Sequence, residues 1–306
     1  MYRVAVPALC LSFLAACTDG TGGGIGPGGS LTHVPTNLSS ALSAVSYNAD
    51  SETITLRLSG IDGGPQDLNY RRRAALDVGP YQAYTYQDDP LDRHFTVLAA
   101  ESHDGSVQAG VTADGGLGNE YFRGGFYVRE GNFDAPPAAS GQVEYGGSYA
   151  GITNLNTNPS DPGYDLLPVP AGTDPAIQPG QGARVAGRIL INANFTEGLT
   201  SGIVFDRAFV DNPSITLPDL ALLTTGVEND GSFFGDIEFD GTVGTDIGDY
   251  GGMFAGVDAS SVGGVLFLID VDNTIYGWEG DQEVGVFVLT QCGQPGEDVA
   301  LCDLTR

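Results

Sequence analysis

Cysteine is the scarce reactive residue of this 306-residue chain, and its four copies fall at the two termini. Cys17 follows Leu14-Ala15-Ala16 at the end of an apolar run, Val4 to Phe13, that Arg3 heads. The run, its basic residue and the small residues before Cys17 read as a short export signal that ends at a cleavage point, with a thiol directly after it. Cys292 and Cys302 form the second group. In an exported chain two nearby cysteines read as a disulfide. Closing so short a loop stabilises the fold by about 3 kcal/mol on the loop-entropy model. The spacing is not C-x-x-C and no histidine lies nearby in sequence to activate a thiol, so the pair is expected to pin the tail.

Other reactive constellations are poor. The three histidines, His33, His94 and His103, lie in the first third, and none is spaced as a metal pair on a helix. Gly146-Gly147-Ser148-Tyr149-Ala150-Gly151 has one residue too many for a nucleophile elbow. A Walker loop is impossible because the chain has no lysine. With 39 carboxylates, no chosen pair is informative about acid–base work. Asp270-Val271-Asp272-Asn273 and the stretch Asp161 to Asp165 offer oxygen ligands without EF-hand spacing, and read as solvated turns. The sequence therefore predicts no catalytic residue, no metal, no cofactor and no enzyme.

Three segments are candidates for binding. Residues 156–182 form a Pro/Gly/Asp-rich insertion with an apolar patch that includes Leu166, Leu167 and Val169. Loops of this length in compact domains are functional or disordered. Arg71, Arg72 and Arg73 place three of the twelve arginines in one run. Guanidinium groups grip carboxylates or phosphates bidentately, although here they have many acidic neighbours to pair with. Tyr81, Tyr84 and Tyr86 stand beside Asp88 and Asp89, a combination for a sugar or a cationic partner. Tyr84 and Tyr86 share a strand face, which equally suits core packing.

The leader resembles that of bacterial lipoproteins, and Leu-Ala-Ala-Cys resembles their lipobox. The resemblance implies a chain acylated at Cys17 (palmitate among the expected modifications) and tethered to a membrane. Thr18 at the next position, rather than Asp, implies the outer membrane. Residues 18–30, rich in glycine, read as a flexible spacer of roughly 20 Å r.m.s. span. A net charge of −27 repels nucleic acid and anionic membrane surfaces, so neither is an expected partner.

These segments need a scaffold, and from residue 45 onward the period is two. Ile54, Leu56 and Leu58 alternate with Thr55, Arg57 and Ser59, and Ile189, Ile191, Ala193 and Phe195 with Arg188, Asn192 and Asn194. Such alternation means half-buried strands. No long helix is expected; Leu38 to Val45 has room for one or two turns. Eight strand-like segments lie near 142–150, 183–195, 199–209, 219–227, 232–241, 249–257, 261–269 and 274–290. Short Gly/Asp/Asn turns favour antiparallel neighbours, and eight such strands close economically into a small barrel. Glycines recur inside the strands, where bends or close packing require them. Tyr145-Gly-Gly-Ser-Tyr149-Ala-Gly151 is echoed by Tyr250-Gly-Gly-Met-Phe254-Ala-Gly256, and more faintly by Arg123-Gly-Gly-Phe126-Tyr127. Outward Arg188, Asn192, Asp236 and Glu238 are costly in lipid, so a water-soluble barrel is expected.

The repeated Gly-Gly-x-aromatic-Ala-Gly strands, the eight-stranded C-terminal barrel and the lipobox together resemble transferrin-binding protein B-like surface lipoproteins, over roughly Gly141 to Leu289. The resemblance implies an all-β fold: a C-terminal eight-stranded antiparallel soluble barrel preceded by a smaller, flatter β-rich handle. The expected division is a signal peptide at 1–16, a tether at 17–30, a handle at 31–135, the barrel at 136–290 and a disulfide-bearing tail at 291–306. It further implies a lipid-anchored outer-membrane protein, facing the cell exterior, that captures an extracellular protein through barrel and handle loops. Transferrin itself is not assigned, because this chain has one barrel-like half and no lysine. The alternative is a lipid-tethered carrier, surface- or periplasm-facing, holding a small ligand in the barrel mouth.

Overall fold

In the computed structural model, residues 31, 33–59, 65–117, 120–137, 141–271 and 280–304 are described. Cys17, the leader and the spacer lie outside the described residues, as do Asp272 and Asn273. The described residues are all-β, with two one-turn α-helices among them, α1 (Thr36–Ser39) and α2 (Val299–Cys302). The turn expected over Leu38 to Val45 is shorter and earlier, since Leu42 already starts a strand. Val45 and Tyr47 point into a core with period two, and that alternation outweighs the weak helical tendency.

Seven strands make the first sheet as a continuous antiparallel meander. They are β1 (Leu42–Asn48), β2 (Thr53–Leu58), β3 (Gln66–Arg72), β4 (Gln82–Tyr86), β5 (Phe95–Glu101), β6 (Val107–Asp114) and β7 (Arg123–Arg129). This sheet is not flat. It curls until the Ala41 N–H, just before β1, donates to the Arg123 carbonyl at the start of β7, 3.0 Å away. The curl encloses Tyr47, Leu56, Tyr70, Tyr84, Phe95, Val97 and Phe126. Right-handed strand twist and a side wholly lined by bulky apolar groups drive that rolling.

Eight further strands close a barrel: β8 (Gln142–Asn156), β9 (Gly182–Asn194), β10 (Leu199–Phe209), β11 (Leu220–Gly226), β12 (Ser232–Phe239), β13 (Asp246–Ala255), β14 (Ser261–Val271) and β15 (Asp281–Gln291). β15 pairs back onto β8, which removes both sheet edges. The echoed aromatics meet inside: Tyr145 and Phe254 lie 5.4 Å apart, ring to ring. The intrastrand glycines make room for such rings. A Cβ on Gly285 would lie 2.4 Å from the Tyr149 ring, and one on Gly264 would lie 2.3 Å from that of Phe287.

The sheet and the barrel share a third apolar layer. Leu98, Val107, Ala109, Val111 and Ala113 of β5 and β6 pack on Ala150, Ile152, Val265, Phe267, Val284 and Val286 of the barrel wall. Both faces of β5 and β6 are therefore buried, one in the curl and one on the barrel. Arg123 lies between the two bodies over the Phe267 ring, and burial lowers its pKa to about 10.

The two ends of the barrel differ. The short connections 195–198, 227–231 and 256–260 lie at one end, with the C-terminal tail. The long connections 157–181 and 210–219 lie at the other, with 240–245. The entering chain is tied to the short-turn end: His33 Nδ1 lies 3.1 Å from Asp230 Oδ2, and the Tyr127 hydroxyl donates to the His33 carbonyl at 3.0 Å.

Candidate ligand-binding face

The long-turn end gathers two of the three segments singled out in the sequence. Antiparallel register places Arg71 opposite Thr85 and Arg72 opposite Tyr84, so the arginine run lies against β4. Alternation then sends its members different ways. Arg72 turns to Asp77, at 2.6 and 2.8 Å, and to Glu52 at 3.1 Å. Arg73 pairs with Asp165 of the 157–181 connection. Arg71 stays exposed.

The 157–181 connection is strapped to the first sheet, not splayed from it. Thr85 Oγ1 donates to Asp165 Oδ2 at 2.7 Å, and the Leu167 N–H donates to Gln87 Oε1 at 2.8 Å. Gln181 closes the loop on itself, accepting from the Asp165 N–H at 2.7 Å and donating to the Gly163 carbonyl at 2.6 Å. On its other flank Arg184 forks Asp211 at 3.0 Å and reaches the Leu76 carbonyl at 2.6 Å. Each strap is a charged or polar group that would lose a hydrogen bond on release, so the loop is held against its entropy.

This strapping shapes a cavity of about 310 Å³ lined by Arg71, Arg73, Thr85, Gln87, His94, Tyr164 and Asp165, with Leu166 and Leu167. His94, just before β5, is only 1 % exposed, and neither ring nitrogen makes a hydrogen bond within the protein. Its Nε2 lies 3.5 Å from Asp165 Oδ2. Burial lowers the imidazole pKa to about 4, with the Arg73 cation acting in the same direction. A second cavity of about 250 Å³ opens across the loop, between Leu155, Arg184, Phe209, Asp211 and Ile215. His94 carried no signal in the sequence beyond its position before an apolar run. Asp165 could not be told from the other carboxylates without the strap.

The remaining candidates lie elsewhere. Tyr81 is fully buried between the two bodies and Tyr84 in the curl, where it meets Tyr47 edge to face at 6.2 Å. Tyr86 packs at 5.9 Å from Tyr70. Their contacts are those of packing residues. Val169 lies half-buried on the loop. Cys292 and Cys302 are joined as a disulfide, Cα to Cα 5.5 Å, at the short-turn end. The Gly146 site on β8 leaves space for Leu301 of α2 to pack beside it. Inside the barrel, Tyr145, Tyr149, Phe254 and Phe287 belong to one buried core, and the Tyr149 hydroxyl bonds the buried Arg207–Glu283 pair.

The fold is thus a closed eight-stranded barrel with a curled seven-stranded sheet fixed to its wall. No protein-family model matches the chain. No curated protein matches it either. Among solved structures, transferrin-binding protein B from serogroup B Neisseria meningitidis is 12 % identical at a TM-score of 0.36, covering 82 % of this chain and 52 % of that one. A double mutant of the Haemophilus parasuis protein is 12 % identical at a TM-score of 0.37, with coverages of 82 % and 54 %. A protein described as a surface lipoprotein is 13 % identical at a TM-score of 0.36, with coverages of 61 % and 76 %. The chain spans about half the length of the two transferrin-binding protein B structures.

Proposed function

We propose that this protein is a lipid-anchored outer-membrane lipoprotein that faces the cell exterior and binds an extracellular protein through its long-turn end. The observation that carries the reading is polarity. The entering chain is tied at His33–Asp230 to the short-turn end, while the long connections 157–181 and 210–219 project from the opposite one. A chain acylated at Cys17 and spaced by the glycine-rich segment would then hold the short-turn end toward the membrane and present the long turns outward. Among the described residues no helix is long and apolar enough to cross a membrane, so attachment in this reading is through the lipid.

The long-turn end has the make-up of a recognition surface. Tyr164, Ile177 and Ile215 are exposed there among charged neighbours, on loops that a rigid barrel positions. The role is binding rather than catalysis.

Protease shaving of intact cells tests the reading, with blotting for the barrel and a periplasmic marker as control. Loss of the barrel while the marker survives is the expected result. Protection until the outer membrane is permeabilised would overturn the exterior placement. Deletion of residues 160–180 should then abolish partner capture by cells that still display the barrel; undiminished capture would remove the long loop from the interface.

A further inference from the structure

The barrel core is covered differently at its two ends. At the short-turn end the chain supplies its own rings: Phe133 lies 6.0 Å from Phe195, and Phe195 lies 4.9 Å, edge to face, from Phe254 of the core. At the long-turn end Leu155 and Phe209 pack against the same core but are only part buried, and both line the cavity of about 250 Å³ beside the 157–181 loop. Ala183 and Ile215 complete its apolar wall, with Ile215 46 % exposed. A concave apolar wall on a rigid scaffold is the kind of surface that an anchor side chain of a binding partner covers.

The charged residues of the wall set the charge of what enters. Arg184 is occupied, since it forks Asp211 and donates to the Leu76 carbonyl. Asp161 is not: its carboxylate accepts from the Asn158 N–H at 3.0 Å and pairs with no cation among the described residues. Two carboxylates against one guanidinium leave the cavity with a net negative charge, which favours a basic group beside the apolar one. The volume is below the range of small-molecule sites, about 300–1,000 Å³, and suits one large side chain rather than a whole ligand.

We propose that this cavity takes a tryptophan-sized aromatic side chain of the extracellular partner, with a neighbouring basic residue of that partner on Asp161. The inference rests on the proposed function and gives that partner its chemistry. Entry of the ring removes the apolar wall from water and does for the core at this end what Phe195 does at the other. The Arg184–Asp211 pair and the barrel strands hold the cavity in shape beforehand, so little ordering opposes binding.

Methyl NMR of the full chain in phosphatidylcholine nanodiscs tests this, with the capped dipeptide Trp-Arg as probe and Ala-Arg and Trp-Glu as comparisons. The expected result is a saturable shift of the Leu155 and Ile215 methyl resonances with Trp-Arg, weaker binding of Trp-Glu and no binding of Ala-Arg. Asp161→Asn keeps the acceptor for the Asn158 N–H and should lower the preference for Trp-Arg over Trp-Glu by about two- to fivefold. Ile215→Ser, at an exposed position, should keep the melting temperature and weaken both tryptophan peptides by at least about threefold. The proposal is overturned if Trp-Arg gives no saturable shift, if Ala-Arg or Trp-Glu binds as tightly, or if neither variant changes binding. Shifts of the same methyls with protein concentration alone would assign the cavity to a second copy, and would also overturn it. The titration uses isolated protein, so its failure is distinct from failure of the exterior placement, which cell shaving reads.

Discussion

The Tyr81 hydroxyl donates to the Ser148 carbonyl at 2.6 Å and, in the same place, accepts from the Val288 N–H at 3.1 Å. Pairing of β15 with β8 runs from Glu283 opposite Thr153 to Phe287 opposite Tyr149, and resumes at Thr290 opposite Gly146. Ser148 and Val288 fall in the gap. A side chain from the first sheet thus supplies the missing rung of the strand pair that closes the barrel, and couples the integrity of the two bodies.

Tyr81→Phe removes that rung while keeping the ring. The Val288 N–H and Ser148 carbonyl are then left without their partner, at a cost of about 1–3 kcal/mol. Chemical denaturation should show the loss, and hydrogen exchange should show a faster Val288 amide, with the curled core around Tyr47 little changed.

Within the barrel Arg207 donates to Glu283 at 2.7 Å, both side chains fully buried, and the Tyr149 hydroxyl donates to the other Glu283 oxygen at 2.5 Å. Removing one partner strands a buried charge. Arg207→Met alone should cost about 3–5 kcal/mol, whereas Arg207→Met with Glu283→Leu should cost much less. Urea unfolding of the two variants makes the comparison.

Gly285 has no space for a side chain, because the Tyr149 ring fills the place a Cβ would take. Gly285→Ala should destabilise by about 1–3 kcal/mol through overpacking, and should also disturb the hydrogen bond from Tyr149 to Glu283. Gly172, around whose Cβ position there is open space, lies at positive φ (87°) in the loop and is the control for backbone strain alone. Melting temperatures separate the two effects.

His94 makes stability depend on pH with a definite sign. Its pKa is lowered from 6.5 to about 4 in the fold, among Arg73, Arg71 and Asp165. Above the unfolded value neither state carries the charge and the group contributes nothing. As pH falls from about 6.5 toward 4 the unfolded chain takes up the proton and the fold does not, so stability declines by about 3 kcal/mol in total. His94→Gln should flatten this part of the profile. Equal slopes for variant and wild type between pH 7 and 4.5 would remove His94 from the account.

The Cys292–Cys302 disulfide holds α2 at the short-turn end, where Leu301 is buried. Replacing both cysteines by serine should lower stability by about 3 kcal/mol on the loop-entropy model. Reduction of the wild type should match it, with exchange quickening first in 299–302.

Much of this architecture is legible in the sequence. Period-two alternation sets which residues face inward, and the eight barrel segments read from it lie within a few residues of β8 to β15, except that β8 runs on to Asn156 and β15 starts only at Asp281. The aromatics of the Tyr-Gly-Gly echo point to a tightly packed interior for the same local reason, that residues four apart on a strand share a face.

What tertiary structure alone decided is which distant residues meet. Asp165 and Thr85 are 80 positions apart, and their hydrogen bond exists because the sheet packs its β4 end beside the loop that joins β8 to β9. Tyr81 reads as a surface aromatic until the barrel wall covers it. The curl of the first sheet was illegible for the same reason, since twist accumulates over seven strands and no single strand records it. Local pattern fixes faces and turns through short-range sterics and burial; the pairing of faces is a property of closure, which only the whole chain possesses.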